Sequence, residues 1–80
     1  MSMDSTTLDC VVRIVAAVAE RTADDIRPEQ RLFEDLGLDS LQITEITQKL
    51  ENALGRPIDD DLLNADGATV ARCAEIAAAA

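Results

Sequence analysis

The chain has 80 residues, enough for one small hydrophobic core and too few for a second. Seven lysines and arginines against sixteen aspartates and glutamates give a net charge of −9, which repels nucleic-acid phosphates and anionic lipid and favours basic protein partners. No apolar run approaches the roughly 20 residues that span a bilayer, and the opening "MSMDSTTLDC" lacks the basic-then-apolar order of a secretory signal, so the expectation is a cytoplasmic protein with neither membrane nor nucleic acid as partner.

The first segment, "STTLDCVVRIVAAVAER", predicts a helix over about residues 5 to 20. At about 100° per residue, Leu8, Val11, Val12, Val15, Val18 and Ala19 fall on one side. Asp4, Ser5 and Thr6 offer N-cap oxygens ahead of it. Residues 21 to 39, "RTADDIRPEQRLFEDLGLD", have no sustained period and are broken by Pro28 and Gly37. Within this stretch Ile26, Leu32, Phe33, Leu36 and Leu38 are spaced like anchors pinning a loop to a core, with Phe33, the only aromatic residue, expected inside. A loop of that length in a compact domain is more often functional than idle.

A second helix is predicted from about Ser40 to Leu54. Asp39 serves as N-cap, and Gln42 three positions on completes a capping-box pattern. With Leu41 at zero on the helical wheel, Ile43, Ile46, Leu50 and Leu54 cluster between about 140° and 220°, and form the buried stripe. Leu41 itself points the other way, beside Glu45 and Gln48. Gly55 suits the position after the helix, and Pro57 prevents its propagation. "IDDDLL" predicts one short helix around residues 59 to 64, and "NADG" a turn. The last helix, "ATVARCAEIAAA", places Val70, Cys73, Ala74 and Ile76 or Ala77 on one side, with Arg72 and Glu75 outside. Cys10 and Cys73 each sit inside an apolar helical pattern and are read as reduced core thiols.

The fold expected is all-α: a small helical bundle of three main helices plus one short helix, with a long loop between the first two main helices. Residues 1–80 make a single domain, expected to be monomeric. The initial methionine and the complete helical set favour a stand-alone protein.

Ser40 stands where loop turns into helix, ringed by acids. The chain has no histidine, so a Ser–His–Asp mechanism has no base. "GLDSL" is not a nucleophile elbow, because Gln42 stands where glycine is needed. Lys49, the only lysine, lies about two and a half turns along the helix, out of reach. No catalytic residue is therefore assigned, and Ser40 reads as a group acted upon. Unpaired backbone N–H groups and the helix dipole at that position favour an attached negative group, although Asp39 opposes it. Three uses remain open: phosphorylation, a phosphodiester-linked prosthetic arm, or a plain helix-start serine.

"EDLGLDSLQITEI" resembles the attachment signature of acyl carrier proteins, whose core is Asp-Ser-Leu after a Leu-Gly element. Length, helix order and acidity extend the resemblance over nearly the whole chain. It implies a non-enzyme whose Ser40 carries 4′-phosphopantetheine, transferred from coenzyme A by a separate Mg²⁺-dependent phosphopantetheinyl transferase. The arm's thiol would hold acyl intermediates as thioesters for fatty-acid, polyketide or related biosynthesis. The alternatives are an aminoacyl or peptidyl carrier, and a small acidic interaction domain phosphorylated at Ser40. The chain lacks the Gly-Gly before the serine motif that is usual in peptidyl carriers, which favours an acyl cargo. Gln42 departs from the pattern of many fatty-acid carriers, which have an acid there.

Residues 34 to 66 hold nine acids against Lys49 and Arg56, so they carry −7 of the total −9. Such a face either is simply solvated or docks basic patches on partner enzymes, and an apolar Leu41 inside a charged rim favours docking. The resemblance implies Asp39, Leu41, Glu45 and Glu51 as contacts for the transferase and for acyl-loading and acyl-processing enzymes. No metal site is expected: in "DDDLLNADG", an EF-hand register would put Leu62 and Cys73 at ligand positions. The resemblance also implies an acyl cleft, lined by Thr44, Thr47, Leu50, Leu62, Leu63 and Ala74. The same residues would make an ordinary core if nothing were sequestered.

Overall fold

The structure is a computed structural model that describes residues 5–59, 63 and 67–79. Among the described residues the elements are three helices, α1 (Ser5–Ala19), α2 (Ser40–Leu54) and α3 (Val70–Ala79), with one 3-10 turn at Ala23–Asp25. Among the described residues there is no strand, only an isolated antiparallel bridge between Arg31 and Thr69. The all-α bundle with a long first loop is the architecture the apolar stripes require, since three one-sided helices bury their faces only against one another.

In α1, Val11 and Val15 are fully buried and Val18 nearly so, as the pattern requires. Leu8, Val12 and Ala19 are only half-buried, whereas Ala16 and Thr7, outside the expected stripe, are buried. The difference arises because α1 packs against both α2 and α3, so its buried face is wider than one stripe. Ser5 and Thr6 lie inside the first turn rather than ahead of it, and Asp4 is outside the described residues.

The helix stops in a Schellman motif. The N–H of Arg21 donates to Ala16 O at 2.8 Å and that of Glu20 to Ala17 O at 3.3 Å. Glu20 takes the left-handed conformation this needs, φ 58°, a position where glycine is usual. An acid there also opposes the negative end of the helix dipole. Glu20→Gly should therefore raise stability by about 1 kcal/mol, allowing for the extra freedom glycine gives the unfolded chain. Urea unfolding checks this, and an unchanged or lowered midpoint refutes it.

The loop between α1 and α2 is clasped to the start of α3. Val70 N–H donates to Gln30 O at 2.9 Å and Ala71 N–H to Pro28 O at 2.8 Å, while Thr69 Oγ1 accepts from Arg72 N–H at 3.0 Å. The opening N–H groups of α3, which no helical carbonyl can reach, are thus satisfied by the loop and the cap. Leu32 N–H returns a bond to Ala68 O at 2.9 Å, so the loop is held by backbone on both sides of Arg31. Ile26, Leu32, Leu36 and Leu38 are buried as expected, but Phe33 is half-buried and packs on the edge of the core.

In α3, Val70, Cys73, Ala74, Ile76 and Ala77 are all buried, and Arg72 pairs with Glu75 on the outside at 3.2 Å. Both cysteines are free. Cys73 is a core thiol, but Cys10 is only half-buried, packed against the core from its margin. Leu63 is helical and fully buried. The rest of the expected short helix, apart from the exposed Asp59, lies outside the described residues. Among the described residues no helix is long and apolar enough to cross a membrane.

Candidate functional site

Ser40 is the first residue of α2, and its side chain is exposed. Its placement follows from the residues around it. Gly37 turns the chain with φ 68°, and Leu38, 5% exposed, anchors the loop in the core. Ile43, fully buried, anchors the first turn of α2 on the other side. The intervening residues Asp39 to Gln42 are thereby carried over the rim of the bundle, with the serine outward.

The turn is closed by a reciprocal pair of hydrogen bonds. Asp39 has an extended backbone, and its Oδ1 accepts from Gln42 N–H at 2.8 Å, while Gln42 Oε1 accepts from Asp39 N–H at 3.0 Å. This is the capping box read from the sequence. It commits the Asp39 carboxylate to the backbone, and among the described residues no group is hydrogen-bonded to the Ser40 hydroxyl as a base would be. Thr44 Oγ1 donates to Ser40 O at 3.1 Å. At the other end, Gly55 closes the helix in the left-handed region, φ 71°, and its N–H donates to Glu51 O.

Leu41 is 78% exposed, the one large hydrophobic side chain so placed among the described residues. Glu45 is exposed one turn further along α2 and makes no hydrogen bond or ion pair among the described residues. Asp39, Ser40, Leu41 and Glu45 thus share the opening turns. Glu51 does not join them: it lies about three turns away, roughly 16 Å along the axis, and is half-buried, with Oε2 accepting from Ile58 N–H at 2.8 Å. That bond folds the segment after α2 back onto the helix. Of the nearby loop acids, Glu34 pairs with Arg31 at 2.9 Å and Asp35 Oδ2 accepts from Arg31 N–H at 2.8 Å.

The described residues of the expected cleft pack as core. Thr47, Leu50, Leu63 and Ala74 are buried as ordinary core, Thr44 is half-buried, and Leu62 is outside the described residues. An open cavity of about 370 Å³ lies against Asp9, Cys10, Arg13, Ile14 and Ala53. Thr47 is buried although polar because its hydroxyl donates to Ile43 O at 2.9 Å. Its place at about 240° on the helical wheel, next to Leu54, was the signal for that.

A covalently attached phosphodiester arm fits these residues. Its requirements are an outward hydroxyl, free surface beside it and polarisation that tolerates one negative charge. Ser40 supplies the first, and the capping box leaves the N–H groups of Ser40 and Leu41 at the positive end of a 15-residue helix.

A family model described as a phosphopantetheine attachment site matches residues 10–76. The acyl carrier protein of Nitratidesulfovibrio vulgaris (strain DP4) is 45% identical over 40 residues, 50% of this chain and 53% of that protein. The acyl carrier protein AcpXL of Mesorhizobium japonicum is 39% identical over 51 residues, 64% and 55% of the two chains. An acyl carrier protein of Desulforapulum autotrophicum is 45% identical over 38 residues, 48% and 49%. The chain spans about half the length of the curated relatives it matches. The matched stretch takes in most of α1, the whole of α2 with its exposed serine, and α3 to Ile76. The chain belongs to the phosphopantetheine attachment-site family, whose prosthetic group is a covalently bound 4′-phosphopantetheine.

Proposed function

We propose that this is an acyl carrier protein, modified at Ser40, that presents acyl thioesters to the enzymes of fatty-acid, polyketide or related biosynthesis. The observation that carries the reading is the exposed serine at the first position of a capped helix, in a family match that spans it. When attached, the arm supplies the thiol that holds the acyl group. The chain's own residues hold the attachment point still and leave the hydroxyl outward. Among the described residues no group bonded to Ser40 takes its proton, so that base belongs to the phosphopantetheinyl transferase, and the carrier acts as the transferase's substrate. It works as a single domain in the cytoplasm. Incubation with coenzyme A, Mg²⁺ and a broad-specificity transferase, followed by intact mass, tests the reading. The expected result is a gain of one phosphopantetheine per chain, and no gain defeats it.

Partners dock along α2, chiefly on its opening turns. Asp39, Leu41, Glu45 and Glu51 are all proposed contacts, but they are not equivalent. Asp39 and Glu51 already serve backbone N–H groups, so Glu45 and Leu41 are left wholly to a partner. An exposed leucine beside an unpaired carboxylate suits an apolar anchor next to a Lys or Arg patch. Glu45→Lys should lower kcat/KM with a partner enzyme by about tenfold at low salt, mostly through encounter. The difference should shrink at high salt, where the field is screened. Equal rates for variant and wild type at both salt levels would show the acidic face to be merely solvated.

A further inference from the structure

Gln42 makes a contact its role in the cap does not need. With Oε1 held by Asp39 N–H at 3.0 Å, its Nε2 points to the far side and donates to Val18 O at 3.5 Å, a long bond in a half-buried setting. Val18 is in the last turn of α1, where carbonyls run out of helical donors. The Schellman motif uses the carbonyls of Ala16 and Ala17 and leaves that of Val18. One side-chain amide therefore closes the start of α2 with its oxygen and the end of α1 with its nitrogen. Only a primary amide of this length does both: a carboxylate keeps the acceptor and loses the donor, and it sets a negative charge against the negative end of α1. Glu20, held at positive φ, fixes the turn by which the chain leaves that end.

We propose that Gln42 is a positioning residue that locks the start of α2 to the end of α1, so that Ser40 is presented from a fixed point on the bundle. The proposal rests on Ser40 being the attachment residue. It makes the amide a structural alternative to a charged side chain beside the serine. Position 42 then adds no charge to that of Asp39 beside the attachment point, and Glu45 is the nearest fully available charge along α2.

Three measurements test it. First, in ¹⁵N-labelled wild type, a Gln42 side-chain amide proton should exchange with solvent at least about threefold more slowly than those of the exposed Gln48. Second, Gln42→Met, which removes donor and acceptor, should lower kcat/KM for phosphopantetheinylation by about tenfold, as expected for a displaced reacting group. Gln42→Glu, which removes the donor alone, should lower it by about threefold at high salt, where its added charge is screened. Third, adding Glu20→Gly should restore thermal stability to either variant without restoring the rate. Unprotected Gln42 protons, wild-type rates in both variants, or rates that return with stability would each overturn the lock. Wild type that gains no mass would instead defeat the attachment reading, and the lock would stand or fall on the exchange measurement.

Discussion

Ser40→Ala should abolish phosphopantetheine loading completely while changing the unfolding free energy by no more than about 0.5 kcal/mol. The two halves of this result have separate causes. Loading is lost because the oxygen to which the arm is bonded is gone, and the adjacent acid, Asp39, is committed to the capping box. Stability is kept because Ser40 lies one residue inside the helix. The cap is Asp39, whose Oδ1 and backbone N–H both bond Gln42, and neither bond involves the serine hydroxyl. An exposed serine replaced by the best helix former costs nothing in burial and gains slightly in propensity. Intact mass after transferase treatment reads the first half, and urea unfolding reads the second. A mass gain on the alanine variant equal to wild type would place the attachment elsewhere. A large loss of stability would mean that the serine is part of the structure and not merely presented by it.

The contrast between Ser40 and its neighbours explains how far the sequence could be read. α2 was legible to its ends, because each end has its own chemical signal. Asp39 and Gln42 cap the start, Gly55 adopts the left-handed region at the stop, and the apolar period of 3.6 fills the space between. Leu41 was legible as exposed for the same reason, since it falls opposite the stripe. The irregular stretch before it was legible in its anchors but not in its path. Nothing in "RPEQRLF" announces that the carbonyls of Pro28 and Gln30 will serve the N–H groups of a helix forty residues later. Backbone bonds of that kind carry no side-chain signature. Phe33 fails for a related reason: its apolar character says that it packs, not on which side of the loop turn.

Glu51 and Gln42 show the limit at the site itself. Both were read from sequence through single roles, a surface acid and a cap. Each turns out to make a second bond, Glu51 to Ile58 N–H and Gln42 to Val18 O. Side chains long enough to reach a neighbouring element are decided by tertiary geometry, and periodicity places only their Cα atoms. α1 is the third case. Its small apolar residues extend beyond the main stripe, so the wheel could not say that two helices, not one, would cover it.

The thiols separate by the same measure of enclosure, and Cys73 gives the second large expected effect. Enclosed in the core at 0% exposure, its thiol is pushed up from 9.0 to about 12, because burial penalises the thiolate. In the unfolded chain the group titrates near its ordinary value. Between about pH 9 and about pH 12 the unfolded state therefore sheds a proton that the native state keeps, and stability falls as pH rises. Below about pH 9 both states hold the proton, and the contribution is fully present. The slope approaches about 1.4 kcal/mol per pH unit inside that window, so some 2 kcal/mol, to order of magnitude, is lost by about pH 10.5. Cys73→Ala should be less stable than wild type at pH 7, since it opens a small cavity, yet lose less on going to pH 10.5. The chain has no tyrosine, and the remaining bases are common to both proteins, so the difference in slope isolates the thiol. Parallel stability curves for the two proteins across that range would mean that solvent reaches Cys73 in the native state, and that the bundle is looser around α3 than its packing implies.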